Sequence, residues 1–541
     1  MSSLSSQPCR LATFYFHKLR ARPWLRAVQV VFLLPLLFAV AESRAQTVDP
    51  APPTEEPRIY ADSFLVWIYA KPQRDPAPIG YLRGGQSVAL RSHEGNPVQQ
   101  RVRKGCGKGW YAVEPAGFVC LDRHASLSPT RYSKNMAMLA PREGAYPFEY
   151  VLSMGSPSYR RVPTTPEWQG KERVFGRART IPLPPHWKGH EELITYEDVP
   201  LESAPNYLIS EGSISRRKEQ RLVRRNVPFG SMLAVTSAFK DSGRSYLQSA
   251  DGTLVPAERF RLFKQSRFAG VELSQTKRRL PLAWPRKRTR SFSLKNSSEC
   301  SGSQRPTGQE KQEKSSTTRG KLKVHPLALN QDCLITNQQW HEPRIPLELS
   351  GAVVIIGGTQ LLQTATGTWL PRSYLFVAEE KVPPAKLRAG THKKWLHFRI
   401  REGTLVSYFN GAPVFATLAS PGIGGTPQPG QSPLQSRTTP LGTYRIQFKH
   451  RTDDMSPEQT EHRKFWIADV PYAMYFQQPF AIHVAYWHES FGEPMSGGCI
   501  NVSPLDGARL FAFTEPHIPK NWYGVGASKA FGPGTTITIT R

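Results

Sequence analysis

The chain has 541 residues, with 71 Lys or Arg against 42 Asp or Glu and a formal net charge of +29. That length suits roughly three to four domains at about 150 residues each, and the basic excess points to an anionic partner: nucleic acid, an acidic membrane face or an acidic polymer. No zinc-finger, RNP or helix-turn-helix signature is present, which sets nucleic acid aside, and 48 Pro with 41 Gly indicate turns and short strands rather than long helices.

Residues 1–45 read as an export signal. Lys18, Arg20, Arg22 and Arg26 form a basic region, Ala27 to Ala41 is apolar, and Ser43-Arg44-Ala45 offers small residues before a cleavage after Ala45. The apolar run is short for a membrane span and is interrupted by Gln29 and Pro35; an uncleaved anchor is the alternative. The expected location is therefore the periplasm or cell envelope. Of the six cysteines, Cys9 leaves with the signal, so Cys106, Cys120, Cys300, Cys333 and Cys499 remain. An odd number in an exported chain suits two pairs and one thiol, expected at Cys499.

Residues 46–57 read as a Pro- and acid-rich linker. Over 58–128, Phe64 to Tyr69, Gly80 to Leu82, Ser87 to Leu90, and a hairpin from Gly109 to Leu121 read as short strands. Their Gly-aromatic turns resemble a small bacterial SH3-like barrel. Cys106 and Cys120 flank the hairpin and are disulfide candidates. Residues 129–270 read as a second β-rich module and 326–385 as a third. Gly252-Thr253-Leu254-Val255-Pro256 and Gly367-Thr368-Trp369-Leu370-Pro371 repeat one element, and Gly117-Phe118-Val119 is similar to both, so an internal repeat is expected. Residues 271–325 read as a disordered basic linker: Lys277 to Lys323 holds fourteen Lys or Arg against three Glu. It is a solvated linker, or a tether to an anionic wall polymer or membrane surface.

From Lys393 the pattern becomes regular. Trp395 to Arg401, Thr404 to Phe409 and Pro413 to Leu418 alternate, with Asn410-Gly411 as a two-residue hairpin signal. Gly422 to Pro433 is a Gly/Pro loop, and Thr439 to Ile446 restarts a strand. Phe480 to Val484 is another, with His483 near its end. Ser503-Pro504-Leu505-Asp506 starts a helix through Phe513, and Thr535 to Thr540 closes the sheet. The fold class is mainly β: a C-terminal sandwich preceded by small β modules and the basic linker.

Cys499 follows Gly497-Gly498, and His483 lies sixteen residues earlier. A thiolate nucleophile needs a nearby base and backbone amides to hold an oxyanion. A zinc site from His483, His488 and Cys499 lacks a fourth ligand at sensible spacing, and no metal or other cofactor is implied. A papain-like order would place the cysteine early and the histidine late.

Residues 393–541 resemble the YkuD-type L,D-transpeptidases. The resemblance rests on the His483 to Asn501 run, on Leu405-Val406-x-Tyr408 before Asn410-Gly411 and Pro413-Val414, and on Thr439-Pro440-x-Gly442-x-Tyr444. It implies a β-sandwich enzyme whose partners are peptidoglycan stem peptides. Cys499 would attack the third stem residue's carbonyl and release D-Ala, and His483 would move the protons, oriented by the Val484 carbonyl. The amides of Gly498 and Cys499 would hold the oxyanion, Ser496 and Asn501 would brace the loop, and Tyr475, Phe476 and His488 would line or serve the substrate groove. The family usually carries a histidine where this chain has Gly497. A non-catalytic peptidoglycan-binding protein with a degenerate domain, and an L,D-carboxypeptidase or endopeptidase, are the competing functions.

Overall fold

The computed structural model describes residues 56–75, 77–93, 96–97, 99–100, 105–175, 201–203, 222–295, 322–329, 333–388, 393–455 and 465–541. The expected signal, the 46–55 stretch, Cys300 and residues 296–321 lie outside them. Among the described residues, no helix is long and apolar enough to cross a membrane.

The last 150 residues fold as two sheets face to face. One holds Lys394–Arg399, Thr404–Phe409, Ala412–Leu418, Thr536–Thr540 and Gly442–Arg445. Asn410 (φ 49°) and Gly411 (φ 84°) make its tight turn, where only residues tolerant of the left-handed region fit. The other holds Phe448–Met455, Ile467–Gln477, Phe480–Val484 and Ile500–Val502. Leu396, Phe398, Leu405, Met474, Phe476, Ile482, Ile500 and Ile537 fill the space between. The helix Pro504–Phe513 starts as its sequence dictates, with Ser503 Oγ accepting from Asp506 N at 3.2 Å. Lys449 Nζ caps its far end, donating to the carbonyls of Phe511 (2.6 Å) and Thr514 (2.8 Å).

Upstream, one order of pairings occurs three times. In the third copy, Leu282–Pro285 pairs with Leu347–Ile356 and Leu375–Ala378. Thr289–Leu294 pairs with Leu334–His341 and Trp369–Pro371, and Leu347–Ile356, Thr359–Thr364 and Trp369–Pro371 form a meander. The second copy matches it strand for strand. Glu149–Ser153 pairs with Met232–Asp241 and Phe260–Leu262, Ser156–Tyr159 with Val223–Val227 and Leu254–Pro256, and the meander runs Met232–Asp241, Arg244–Ser249, Leu254–Pro256. Each adds a strand parallel to its longest one, Leu201–Ser203 or Lys323–Leu329. In the first copy, Arg58–Ala61 pairs with Ser87–Ala89 and Ala125–Ser126, Trp110–Ala112 with Phe118–Cys120, and Tyr69 bridges Phe118. The repeated Gly-Thr element occupies the same turn twice: Gly252 (φ 81°) and Gly367 (φ 88°) donate to Ser249 O and Thr364 O, both at 2.9 Å. A disulfide joins Cys106 and Cys120.

The structure differs from the sequence reading in two respects. The modules are not separate from the C-terminal domain. The hairpin Leu65–Ile68 and Gly80–Arg83 extends a C-terminal sheet through Gly524–Gly526, Met232 pairs with Ile467, and Val271–Glu272 adds an edge strand beside Ala412–Leu418. Residues 56–541 form one unit. Second, the expected linker is folded from Val271 to Leu294. Its charges hid an apolar run, Leu280 to Trp284, and Trp284 is fully buried. The cationic heads stay outside: Arg286 stacks on Phe376 at 3.8 Å and pairs with Glu493, and Arg288 pairs with Glu342.

Two groups tie these parts together. Buried Arg83 ion-pairs with buried Asp469 and donates to Tyr523 Oη (2.7 Å), Thr452 Oγ1 (3.2 Å) and Ala250 O (3.1 Å). Asp506 accepts from Gly270 N (2.8 Å) and Thr417 Oγ1 (2.5 Å). Burial raises its carboxyl from 3.8 to about 6, against the lowering by those hydrogen bonds.

Removing Arg83 alone leaves a buried carboxylate. Arg83→Ala is expected to lower unfolding free energy by about 3–5 kcal/mol in denaturant titration, with Arg83→Met/Asp469→Leu recovering part of it; a loss under about 1 kcal/mol for the single variant would count against this junction. The folded Asp506 carboxyl holds its proton to about pH 6, whereas an unfolded aspartate loses it near 3.8. Its contribution is therefore full below the lower value and falls as pH rises toward the upper one. Asp506→Asn is expected to flatten the stability profile across that window by on the order of 2–3 kcal/mol; an unchanged slope would contradict the assignment.

Candidate active site

Strand register builds the site. Phe480–Val484 runs parallel to Ile500–Val502, with Ile482 opposite Ile500 and His483 opposite Asn501. Side chains alternate along strands, so Ile482, Ile500 and Val502 enter the core while His483 and Asn501 share the other face. Cys499, two residues before Asn501, stands on that face just ahead of the strand.

His483 is held in one tautomer. Its Nδ1 lies 3.0 Å from Val484 O, which can only accept, so Nδ1 carries the proton and Nε2 keeps its lone pair. Asn501 Nδ2 donates to that Nε2 at 3.1 Å, and Asn501 Oδ1 lies 3.4 Å from His488 Nε2. An imidazole bonded to a carbonyl through Nδ1, on the face of a thiol, can act as a general base through Nε2.

The nucleophile loop is braced from both sides. Ser496 Oγ donates to Cys499 O at 2.5 Å and accepts from Gly498 N at 3.1 Å. Gly498 has φ 133°, and a Cβ there would meet the Phe480 ring at 2.5 Å, so glycine is required. Ser420 and Asn501 exchange backbone bonds of 2.8 and 2.9 Å, Ile423 N donates to Ser496 O at 2.9 Å, and Thr439 Oγ1 accepts from Gly422 N at 2.9 Å. The Gly/Pro loop and the Thr439-Pro440 motif thus clamp the cysteine loop. Gly498 N is engaged within the loop, so service as an oxyanion donor requires exchange of its bond to Ser496. Gly497 is exposed and brings no side chain.

Tyr475 packs beside Cys499, and its hydroxyl donates to Asp453 Oδ2 at 2.7 Å. Burial, then the Asp453 charge, pushes that hydroxyl far above the ordinary tyrosine range, so it stays a neutral donor. Phe476 and His488 depart from the expected groove. Alternation turns Phe476 into the core against Tyr444 at 5.4 Å, and His488 is fully buried behind Asn501. Asp453 and His450 were not picked out from the sequence. The alternation of Phe448, His450 and Thr452 was the available signal for His450; Asp453 has the opposite parity, and only the fold brings it to Tyr475.

The fifteen-residue spacer between His483 and Cys499 is fastened by upstream residues. Tyr150 stacks on Tyr486 at 3.8 Å and Phe268 on Phe491 at 5.5 Å. Ser266 Oγ donates to Glu489 (2.9 Å), Arg344 Nε to Phe491 O (3.3 Å), and Arg286 pairs with Glu493 (3.1 Å).

Residues 393–539 match the model of the YkuD family, the L,D-transpeptidase catalytic domain. No curated protein matches the chain. Similar solved structures include an L,D-transpeptidase from Xylanimonas cellulosilytica (21% identity, 29% of this chain and 63% of that one, TM-score 0.20). Others are one from Stackebrandtia nassauensis (20%, 28% and 58%, 0.18) and one from Mycobacterium smegmatis (17%, 39% and 75%, 0.21). The chain spans 63% and 58% of the first two. The family match covers the segment 393–539, which carries His483, Asn501 and Cys499 and is similar to the L,D-transpeptidase catalytic domain of the YkuD type.

Proposed function

We propose that the chain is an exported L,D-transpeptidase of the periplasm or cell envelope. It forms peptidoglycan cross-links, or attaches amines to the wall, through an acyl-enzyme on Cys499. The observation that carries this reading is the pairing of His483 with Asn501, which sets an imidazole of fixed tautomer on the thiol's face. The family match over 393–539 supports peptidoglycan stem peptides as the substrate class.

In the first half-reaction, His483 Nε2 exchanges its bond to Asn501 for the thiol proton. The Cys499 sulfur adds to the carbonyl of the third stem residue. The bond to D-Ala breaks, and the proton held on His483 leaves with the D-Ala nitrogen. In the second, an acceptor amine adds to the thioester, the C–S bond breaks, and a proton returns through His483 to the sulfur. The Gly498 amide exchanges its bond to Ser496 for the developing oxyanion, which the Cys499 amide also holds, a role that contributes roughly 3 kcal/mol per donor. Gly497 supplies no imidazole, so His483 does the proton work. The upstream repeats, read as SH3-like modules, hold the enzyme on the wall, and the basic segment binds an anionic wall polymer or membrane surface.

The test is incubation of the purified chain with disaccharide-tetrapeptide, followed by mass spectrometry. Cross-linked dimer with loss of D-Ala is expected, absent in Cys499→Ala. Loss of D-Ala without dimer identifies a carboxypeptidase, and no change in any variant identifies a wall-binding protein. His483→Ala is expected to slow acylation by about 10²- to 10⁴-fold; an unaffected rate would remove His483 as the base.

A further inference from the structure

Between the third repeat and the C-terminal sheet lies a cleft of about 600 Å3. Three turns line it. Gly357 (φ 54°) and Gly358 (φ 76°) close the hairpin of Leu347–Ile356 and Thr359–Thr364, which brings Thr359 and Gln360 to the cleft. Arg372 and Ser373 come from the turn after Trp369–Pro371, and Arg401 and Glu402 from the turn after Lys394–Arg399. Arg286, stacked on Phe376, completes the lining beside buried Leu375.

The lining is cationic. Arg286 pairs with Glu493 at 3.1 Å, and Arg372 pairs with Glu402 at 2.5 Å and donates to Leu375 O at 3.3 Å. Among the described residues, Glu402 is the lining's one carboxylate, and Arg399, at 3.9 Å, shares it. Arg401 is exposed and, among the described residues, ion-pairs with no carboxylate. An exposed arginine by itself is a solvated surface group. This one stands with two further guanidiniums in a concavity, together with the exposed hydroxyls of Thr359 and Ser373. Positive charge continues along the same repeat: exposed Lys287 lies 4.6 Å over the ring of Tyr374, the neighbour of Ser373, and exposed Arg290 lies 4.5 Å over Trp340.

The type and number of donors select the ligand. A carboxylate has two oxygens, which one guanidinium fork satisfies. Three forks with two hydroxyls suit a group that carries more oxygens, and the planar fork matches phosphate two oxygens at a time. We infer that the cleft binds a phosphate group of a soluble polyanion, with Arg401 as its principal ion pair and Arg286 and Arg372 as flanking donors. A concave site suits such a group better than it suits a flat membrane face. The inference goes beyond the transpeptidase reading: it gives the anionic partner a folded site and a chemistry, and it needs no turnover at Cys499.

Calorimetry on the full chain tests it, at about 0.1 M salt so that diffuse attraction is screened. Inorganic pyrophosphate probes the cleft, citrate is the carboxylate control, and vesicles of phosphatidylglycerol in phosphatidylcholine are the lipid-headgroup control. Pyrophosphate is expected to bind saturably and at least about ten-fold more tightly than citrate. Arg401→Gln is expected to weaken it about ten-fold, with Arg401→Lys recovering only part of the loss, since lysine keeps the charge but not the fork. Lys529→Gln removes an exposed cation outside the lining and is expected to leave the affinity unchanged. Both positions are exposed, so these variants keep the fold, which circular dichroism checks. No saturable pyrophosphate binding, citrate bound as tightly, or an affinity that Arg401→Gln leaves unchanged overturns the proposal. So does an equal loss in Lys529→Gln, which assigns the binding to diffuse charge, or binding to the vesicles alone, which assigns it to a lipid surface. The titration is independent of acylation at Cys499, so either reading can fail while the other stands.

Discussion

The buried pair of Arg83 and Asp469 is the constraint on which the arrangement depends. Arg83 belongs to the first repeat, Ala250 O to the second, and Asp469, Thr452 and Tyr523 to the catalytic half, and one guanidinium bonds to all of them. A cation so enclosed is tolerated because its donors are matched; the rings of Phe64 and Tyr523, at 5.0 and 5.1 Å, cover its faces. Asp469 itself has φ 50°, a conformation that a non-glycine residue holds only when its surroundings fix it. The pair links the repeats to the sheet that ends at His483.

The residues of the candidate site take their order from the sheet and from the loops beside it. His483 and Asn501 stand on paired strands, so their separation is set by the sheet. Cys499 stands just outside, and its loop takes its shape from Ser496, from Gly498 against Phe480, and from the clamp at Ser420 to Ile423. The spacer between histidine and cysteine packs on Tyr150, Phe268, Arg286 and Arg344, all upstream of residue 393. A catalytic domain cut at that boundary would expose these contacts together with the edge strand Val271–Glu272. The repeats therefore do more than precede the site; they supply part of its outer wall.

Local signals made much of this legible in the sequence. Alternation placed Thr404–Phe409 and Phe480–Val484, Asn410-Gly411 fixed a turn, and Ser503-Pro504 fixed a helix start, because each is decided by a few neighbouring residues. The repeated Gly-Thr element pointed to a duplication that the strand pairings display in full. What stayed hidden was long-range. Composition over 277–323 counted charges and missed that Leu280 to Trp284 could be buried while the arginines remained outside. Phe448–Met455 and Ile467–Gln477 mix polar and apolar residues, because Lys449, Thr452 and Asp469 satisfy partners that only the fold supplies. The roles of Phe476 and His488 turned on which face of a strand or loop each occupied, and register decided that.

We propose that Cys499 is a thiol made nucleophilic by its setting, whereas Cys333 is fully buried. Peptide mapping after brief exposure of the full chain to a carbapenem measures this directly. One covalent adduct is expected, on the peptide carrying Cys499, and its formation is expected to slow when Asn501 is replaced by alanine. A chain that stays folded and unmodified, or one modified at Cys333 instead, would contradict it.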